Sequence, residues 1–397
     1  MKVAGIIAEY NPFHAGHAWH IAQTRAQGAT HVVAVMSGHT VQRGAFAIAF
    51  KQARARMALD HGVDLVLCLP TPWSCARAQD FAWAGVHLLK ALGCVELLSF
   101  GSECGDISLL QRAAAGLRDR GVEISLRERI GQGSAFAPAR QAALAAVDPQ
   151  AAALLRSPND TLGVTYLQAM EAQGAGFTPL AVPRKGSAHG QVGGQGFPSA
   201  HELRMIIVNE GLTSHNISEE RCPGLFHLAE EARQGRAPAD MRRLETAWLA
   251  RLRGMRPEEL ARLPDISEGL EHRLHSAIRQ GTGIAEILAL AGSSRVPTAR
   301  LLRILFHALL HEIAEDVAAL PRFIQVIGHN AAGRELLRRA KTAASLPIVT
   351  RTADIQTLDT QAKRAFSLEC GAADLMSLAI PRPLPCGMEE RRQVIAI

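Results

Sequence analysis

Apolar runs alternate with amphipathic stretches through the first half of the chain. Residues 3–8, 32–36 and 65–69 are short, continuous apolar runs, and 95–100 is a mainly apolar one, the pattern of strands buried on both faces. Between them, residues 18–25, 50–60 and 81–92 carry helical spacing. Strand–helix–strand units of this length imply a parallel sheet with right-handed crossovers. In a doubly wound sheet ordered 3-2-1-4-5, ligands bind where the order reverses, beyond the carboxyl ends of strands 1 and 4. That rule places a crevice at the loops 9–17 and 101–106, both rich in glycine and polar residues.

Farther along, residues 134–175 read as helical, with Pro158-Asn159 opening the second helix, and 177–182 as a further strand. A glycine-rich loop follows (Gly186, Gly190, Gly193, Gly194, Gly196), and Ser199 then caps a helix running to about 209. Beyond Pro223 the pattern changes: residues 225–320 are helical in period and rich in arginine and leucine. This shift predicts an α/β protein with a Rossmann-like doubly wound domain over 1–222 and a mainly α-helical domain over 223–397. A late strand–helix–strand piece is expected at 323–327, 333–341 and 346–350.

A length of 397 residues suits two domains. No apolar run approaches the roughly 20 residues that cross a bilayer, so no membrane partner is expected. Lys2 leads into a short apolar run and then Glu9, which reads as a buried first strand rather than a secretory signal. The expectation is a soluble, cytoplasmic protein. Seven scattered cysteines without a Cys-x-x-Cys pair argue against a zinc site or a disulfide framework, and no metal ligands are assigned. The net charge of +6 suits a polyanionic partner without requiring one.

The chemistry concentrates at His14-Ala15-Gly16-His17, between the first strand and the first helix. Gly16 lets backbone approach a phosphate closely, and a helix start offers free N–H groups to an anion. Two histidines three residues apart lie on one side of that helix mouth. There they can donate hydrogen bonds to phosphate oxygens as charge grows during displacement at an α-phosphorus. His14 and His17 are therefore the candidate catalytic residues, and ATP the candidate ligand.

This segment resembles the HIGH-motif nucleotidylyl transferases. Further blocks narrow the resemblance: Gly5-Ile6-Ile7-Ala8-Glu9-Tyr10-Asn11-Pro12-Phe13-His14, Val35-Met36-Ser37-Gly38, Val41-Gln42-Arg43-Gly44, Phe100-Gly101-Ser102-Glu103, Ser157-Pro158-Asn159, Ser267-Glu268-Gly269-Leu270-Glu271 and Leu346-Pro347-Ile348-Val349-Thr350. Together and in this order they are similar to the bacterial tRNA(Met) cytidine acetate ligase family, over nearly the whole chain. The resemblance implies ATP-dependent activation of acetate as acetyl-adenylate, then transfer of acetyl to the wobble cytidine of elongator tRNA(Met), giving N4-acetylcytidine. Magnesium is expected with the ATP. The implied ATP contacts are Ile7, Ala8, Glu9, Tyr10, Asn11, Pro12, Phe13, Gly16, His20, Gly101, Asn159 and Arg184. Asn159 reads equally well as a helix N-cap. Ser199 and Arg204 stand where relatives carry a phosphate-binding signature at a helix start, and His189 lies in the adjoining loop.

The chain also departs from the family pattern. Ala15 stands where members carry Asn, and Gly292-Ser293-Ser294-Arg295-Val296-Pro297-Thr298 replaces a run with two lysines and an aromatic. For RNA the candidates are Arg43, Arg295, Arg300 and Arg303. Positions 300, 303 and His307 share one helical face, which reads either as a phosphate-binding face or as a solvated basic one. Trp248 and Phe306 suit base stacking or core packing. Two alternatives stand beside the ligase: a nucleotidylyltransferase activating another small acid or a cofactor precursor, and a non-catalytic RNA-binding relative.

Overall fold

Five parallel strands form the centre of the molecule, seen in a computed structural model that describes residues 1–184, 197–212, 217–267 and 269–397. In chain order the strands are β1 (Val3–Ala8), β2 (His31–Ser37), β3 (Thr40–Val41), β4 (Ala45–Phe46), β5 (Leu65–Leu69), β6 (Leu97–Ser102) and β7 (Thr178–Pro183). They are followed by β8 (Ile324–His329), β9 (Ile348–Val349) and β10 (Ile395–Ala396). The parallel strands lie side by side as β5-β2-β1-β6-β7, the 3-2-1-4-5 order expected for a doubly wound sheet. β1 and β2 pair in register from Val3–His31 to Ala8–Met36.

Every residue of β5 is buried, because both faces of the sheet are covered. Ile7, Val33, Val35, Leu65 and Leu67 pack in one layer with Phe81, Leu88 and Leu89 of helix Ala78–Ala91 and with Val164 and Leu167 of helix Pro158–Ala172. Ile6, Val32, Ala34, Met36 and Val66 point the other way. They meet Ile21 of helix Ala15–Ala26, Ala53 and Met57 of helix Lys51–Asp60, and Leu228 of helix Leu225–Arg233. Burying each such aliphatic side chain contributes roughly 1.5–3 kcal/mol, so the apolar runs hold the sheet in the middle.

The late strand–helix–strand piece forms as β8, helix Ala331–Ala343 and β9, but it does not stay with the helical segment. β8 adds to the first sheet, antiparallel to β5, and β9 and β10 pair with β8. The boundary expected at 222–223 is corrected accordingly, since the sheet runs across it. β5 is buried throughout and would otherwise leave its outer backbone groups without partners. The helical insertion therefore begins not at the composition shift at 223 but beyond helix Leu225–Arg233, which packs on the sheet. Its own core holds Leu244, Trp248, Leu252, Leu274, Leu301, Leu305 and Phe306.

Two arms rise from the carboxyl edge of the sheet. One follows β6 and comprises helices Ile107–Gly116, Arg120–Gly131, Phe136–Ala145 and Pro149–Ala153. The other is the helical insertion, fastened to the hairpin β3–β4 that follows β2. A Cβ at Gly44, whose φ is +75°, would lie 2.8 Å from the Arg303 backbone nitrogen, so the hairpin tip lies directly on helix Thr298–Leu309. Among the described residues no helix is long and apolar enough to cross a membrane.

Candidate active site

β1 ends at Ala8, and the chain turns through Glu9–Phe13 before helix Ala15–Ala26 begins. The helix starts three residues earlier than its apolar spacing suggests, because His14 is its N-cap. His14 Nδ1 accepts the Gly16 N–H at 3.0 Å, and His17 Nδ1 accepts the His14 N–H at 3.2 Å. The rings stack with centroids 3.7 Å apart. Since each Nδ1 accepts from a backbone N–H, each neutral imidazole carries its hydrogen on Nε2. Burial lowers the His14 pKa to about 3, with Arg184 and Arg204 adding to the effect. Burial, then His14, His20 and Arg184, also lower His17 well below the usual histidine range. The pair is therefore two neutral Nε2–H donors at a helix N-terminus, suited to phosphate oxygens.

His20, implied as an ATP contact, bonds Ser99 Oγ at 2.9 Å, and Ser99 in turn meets Thr24 Oγ1 at 2.7 Å. It fastens the helix to β6. Burial, then Arg184, lower its pKa to about 4. Because folding lowers the pKa of His14, His17 and His20 below the ordinary 6.5, the unfolded chain binds more protons under that pH. Their contribution to stability is full above about pH 6.5 and is lost progressively as pH falls toward 4. Melting temperature is expected to decline from pH 6.5 to 5, and less steeply in His20→Asn. Equal slopes in the two proteins would remove His20 from this account.

The other implied contacts divide by position. Gly101 faces Arg184: a Cβ there would lie 3.7 Å from Arg184 Cγ. Arg184 follows β7, donates its N–H to the Ser102 carbonyl at 2.9 Å and leaves its side chain exposed. The segments after β6 and before helix Pro158–Ala172 lock together. Glu103 accepts from Asn159 Nδ2 at 2.6 Å and the Asp160 N–H at 2.9 Å, while Asp160 accepts the Glu103 N–H at 2.9 Å. The N-cap is Ser157, so the capping role weighed for Asn159 is corrected. Asn159 is instead tied to Glu103.

Ile7, Tyr10, Asn11 and Phe13 form the frame of the turn. Ile7 packs over Gly85, and Tyr10 and Phe13 are buried with ring centroids 5.0 Å apart. Asn11 Oδ1 accepts the Ile48 N–H at 2.7 Å, and the peptide bond to Pro12 is cis. Ala8 ends β1, and Glu9 Oε1 accepts the Gln42 N–H at 2.9 Å. Ser199 caps helix Ala200–Glu210 through the Glu202 N–H at 3.1 Å, and Arg204 donates to the Asn11 carbonyl at 2.6 Å. His189, the glycine-rich loop around it and Glu268 lie outside the described residues. Among the described residues no group of three or more His, Cys, Asp or Glu side chains could hold a metal ion.

Sequence reasoning missed the charges that hold this edge together. Arg54 is fully buried and donates to the carbonyls of Ala49 at 3.0 Å, Glu9 at 2.7 Å, Ser37 at 3.1 Å and Gly38. It thereby ties the ends of β1 and β2. Beside it, Lys51 Nζ meets Glu369 at 2.7 Å and Glu389 at 2.8 Å, and Glu389 also pairs with Arg392 at 2.7 Å. Glu369 accepts the His39 and Thr71 N–H groups at 3.2 and 2.8 Å. A window of single sequence carries no sign of these pairs, because the partners come from opposite ends of the chain.

The proposed basic face also changes. Arg303 pairs with Asp265 at 3.1 Å, and Arg300 donates to the Asp265 carbonyl at 2.7 Å and Ser267 Oγ at 2.6 Å. His307 is fully buried against Glu312. These side chains hold helix Thr298–Leu309 to the 265–267 turn rather than forming an open stripe. Trp248 and Phe306 are core residues, with Trp248 Nε1 donating to the Leu305 carbonyl at 2.6 Å. Arg43 and Arg295 remain exposed.

Comparison with known proteins places the whole chain in a family. The HIGH Nucleotidyl Transferase family model matches residues 1–389. The tRNA(Met) cytidine acetate ligase of Thermoanaerobacter sp. (strain X514) is 33% identical over 399 residues, 98% of each chain. That of Alkaliphilus metalliredigens is 32% identical, covering 96% of this chain and 95% of the relative. The crystal structure of Thermotoga maritima TmcAL bound with alpha-thio ATP matches with a TM-score of 0.90 at 28% identity, covering 100% of both chains. Family model, relatives and strand order converge, and the chain belongs to the HIGH nucleotidyl transferases and, within them, to the tRNA(Met) cytidine acetate ligase family.

Proposed function

We propose that this chain is an ATP-dependent ligase that activates acetate as acetyl-adenylate and acetylates the wobble cytidine of elongator tRNA(Met), forming N4-acetylcytidine. The observation that carries this reading is the neutral, stacked His14–His17 pair at the carboxyl end of β1. An acetate oxygen attacks the α-phosphorus of ATP, the bond to the β-phosphate oxygen breaks, and pyrophosphate leaves with the electron pair. His14 and His17 donate from Nε2 to phosphate oxygens as charge accumulates. With each Nδ1 engaged by a backbone N–H, each ring keeps its Nε2–H free to donate. Arg184, facing Gly101, and Arg204, bonded to the Asn11 carbonyl of the turn, supply positive charge near the pair. In the second half-reaction the exocyclic amine of cytidine attacks the acetyl carbonyl, AMP departs with the bonding pair, and the amine loses a proton. Magnesium would arrive coordinated by the ATP phosphates, where it neutralises charge. Arg43 and Arg295 are the members of the basic set left for RNA phosphate contact.

Exchange of labelled pyrophosphate into ATP, with acetate as the only added acid, tests the assignment. Exchange that depends on acetate is expected, followed by acetyl transfer to a tRNA(Met) transcript. Exchange supported by a larger acid and not by acetate would make the chain an activator of another acid. No exchange with any small acid would overturn the ligase reading.

A further inference from the structure

The two arms flank the end of β1, since one grows from β6 and the other is fastened to the hairpin after β2, the neighbours of β1 on either side. They also meet. Gly133, with φ of +99°, lies at the end of helix Arg120–Gly131, and a Cβ on it would sit 3.0 Å from Arg295 Cζ. Arg295 belongs to the turn before helix Thr298–Leu309, so its guanidinium lies where the two arms touch. Three residues beyond Gly133, Phe136 opens helix Phe136–Ala145 with 60% of its surface exposed. The other strongly exposed phenylalanine, Phe226, lies against His227 at a centroid distance of 3.9 Å. Phe136 has no ring partner among the described residues.

Leaving a phenyl ring in water forgoes the gain from burial. An aromatic face with a cation next to it is the chemistry that receives an unstacked base and its phosphate. We infer that Phe136 and Arg295 form a stacking site for an unpaired nucleotide of the RNA substrate, next to the base that enters the crevice. The inference rests on the ligase reading for the identity of the RNA. A single-stranded loop fits it, because a duplex keeps its base faces covered. Helix Arg120–Gly131 adds cations on the same arm, with Arg120 exposed and Arg127 paired to Glu123.

The test uses the full chain with Phe136→Ala, Phe136→Trp and Arg295→Ala, and a tRNA(Met) transcript as probe. Phe136→Ala is expected to weaken transcript binding by about tenfold, within the range measured for one stacked base. Acetate-dependent pyrophosphate exchange should not change, because the ring lies outside the phosphate crevice. Phe136→Trp should restore binding, since a larger ring stacks at least as well. Arg295→Ala should flatten the log–log dependence of binding on salt by about one unit. Unchanged transcript affinity in Phe136→Ala overturns the proposal, as does an equal fall in exchange and binding, which would mark a structural residue. Binding is read without catalysis, so a chain that fails to form acetyl-adenylate defeats the ligase reading and leaves this result independent.

Discussion

Replacing either His14 or His17 by alanine is expected to slow acetate-dependent pyrophosphate exchange by about 100-fold or more, the scale of a lost transition-state donor. The affinity for ATP should fall far less, because these groups act mainly as charge develops on the phosphates. His14 has a second role, however. Its Nδ1 caps helix Ala15–Ala26, and loss of such a cap costs about 0.5–2 kcal/mol. His14→Asn separates the two roles: asparagine caps the helix well but lacks a ring donor at the position of Nε2. It should melt near the wild-type temperature and remain as slow as the alanine variant. Exchange near the wild-type rate in His17→Ala would remove the pair from catalysis.

The second large effect is on stability. Glu369 and Glu389 are buried with Lys51, His39 and Arg392 at the edge of the sheet. Burial raises both carboxyl pKa values, but Lys51 and His39, with hydrogen bonds and, at Glu389, Arg392, together hold both below the usual carboxylate range. Glu369→Ala takes one of two carboxylates from a lysine that has no water to turn to. Breaking a buried pair this way costs about 3–5 kcal/mol, against total domain stabilities of roughly 5–15. The urea midpoint is expected to drop accordingly. Adding Lys51→Met should cost less than the two single changes summed, because the second change removes the charge that the first one stranded. Additive losses would show that Glu369 contributes by packing alone. The contribution of these carboxylates is present above about pH 4.5 and is lost as pH falls through their lowered folded values.

The parts of the site that were legible are local ones. Residues 3–8, 32–36 and 65–69 had to be buried strands, because a parallel strand covered on both faces needs an unbroken apolar run. Their alternation with helices set the order and hence the crevice, which is where Gly101 and His14 lie. The His14–His17 pair was readable for the same reason, since strand, turn and helix follow within a few residues. Tertiary structure decided what distant segments do to one another. Lys51 and Arg54 lie on a segment that reads only as a helix, until Glu369, 318 positions from Lys51, meets that lysine. Arg300 and Arg303 share a face with free-looking cations, until the Asp265 turn closes on them. β8 reads as part of a separate helical domain, until the open edge of β5 takes it. A side chain's charge or hydrogen-bonding capacity is written at its own position. Whether it holds the fold or meets a ligand depends on what packs against it, and a buried charge is tolerated only where the folded chain brings its partner.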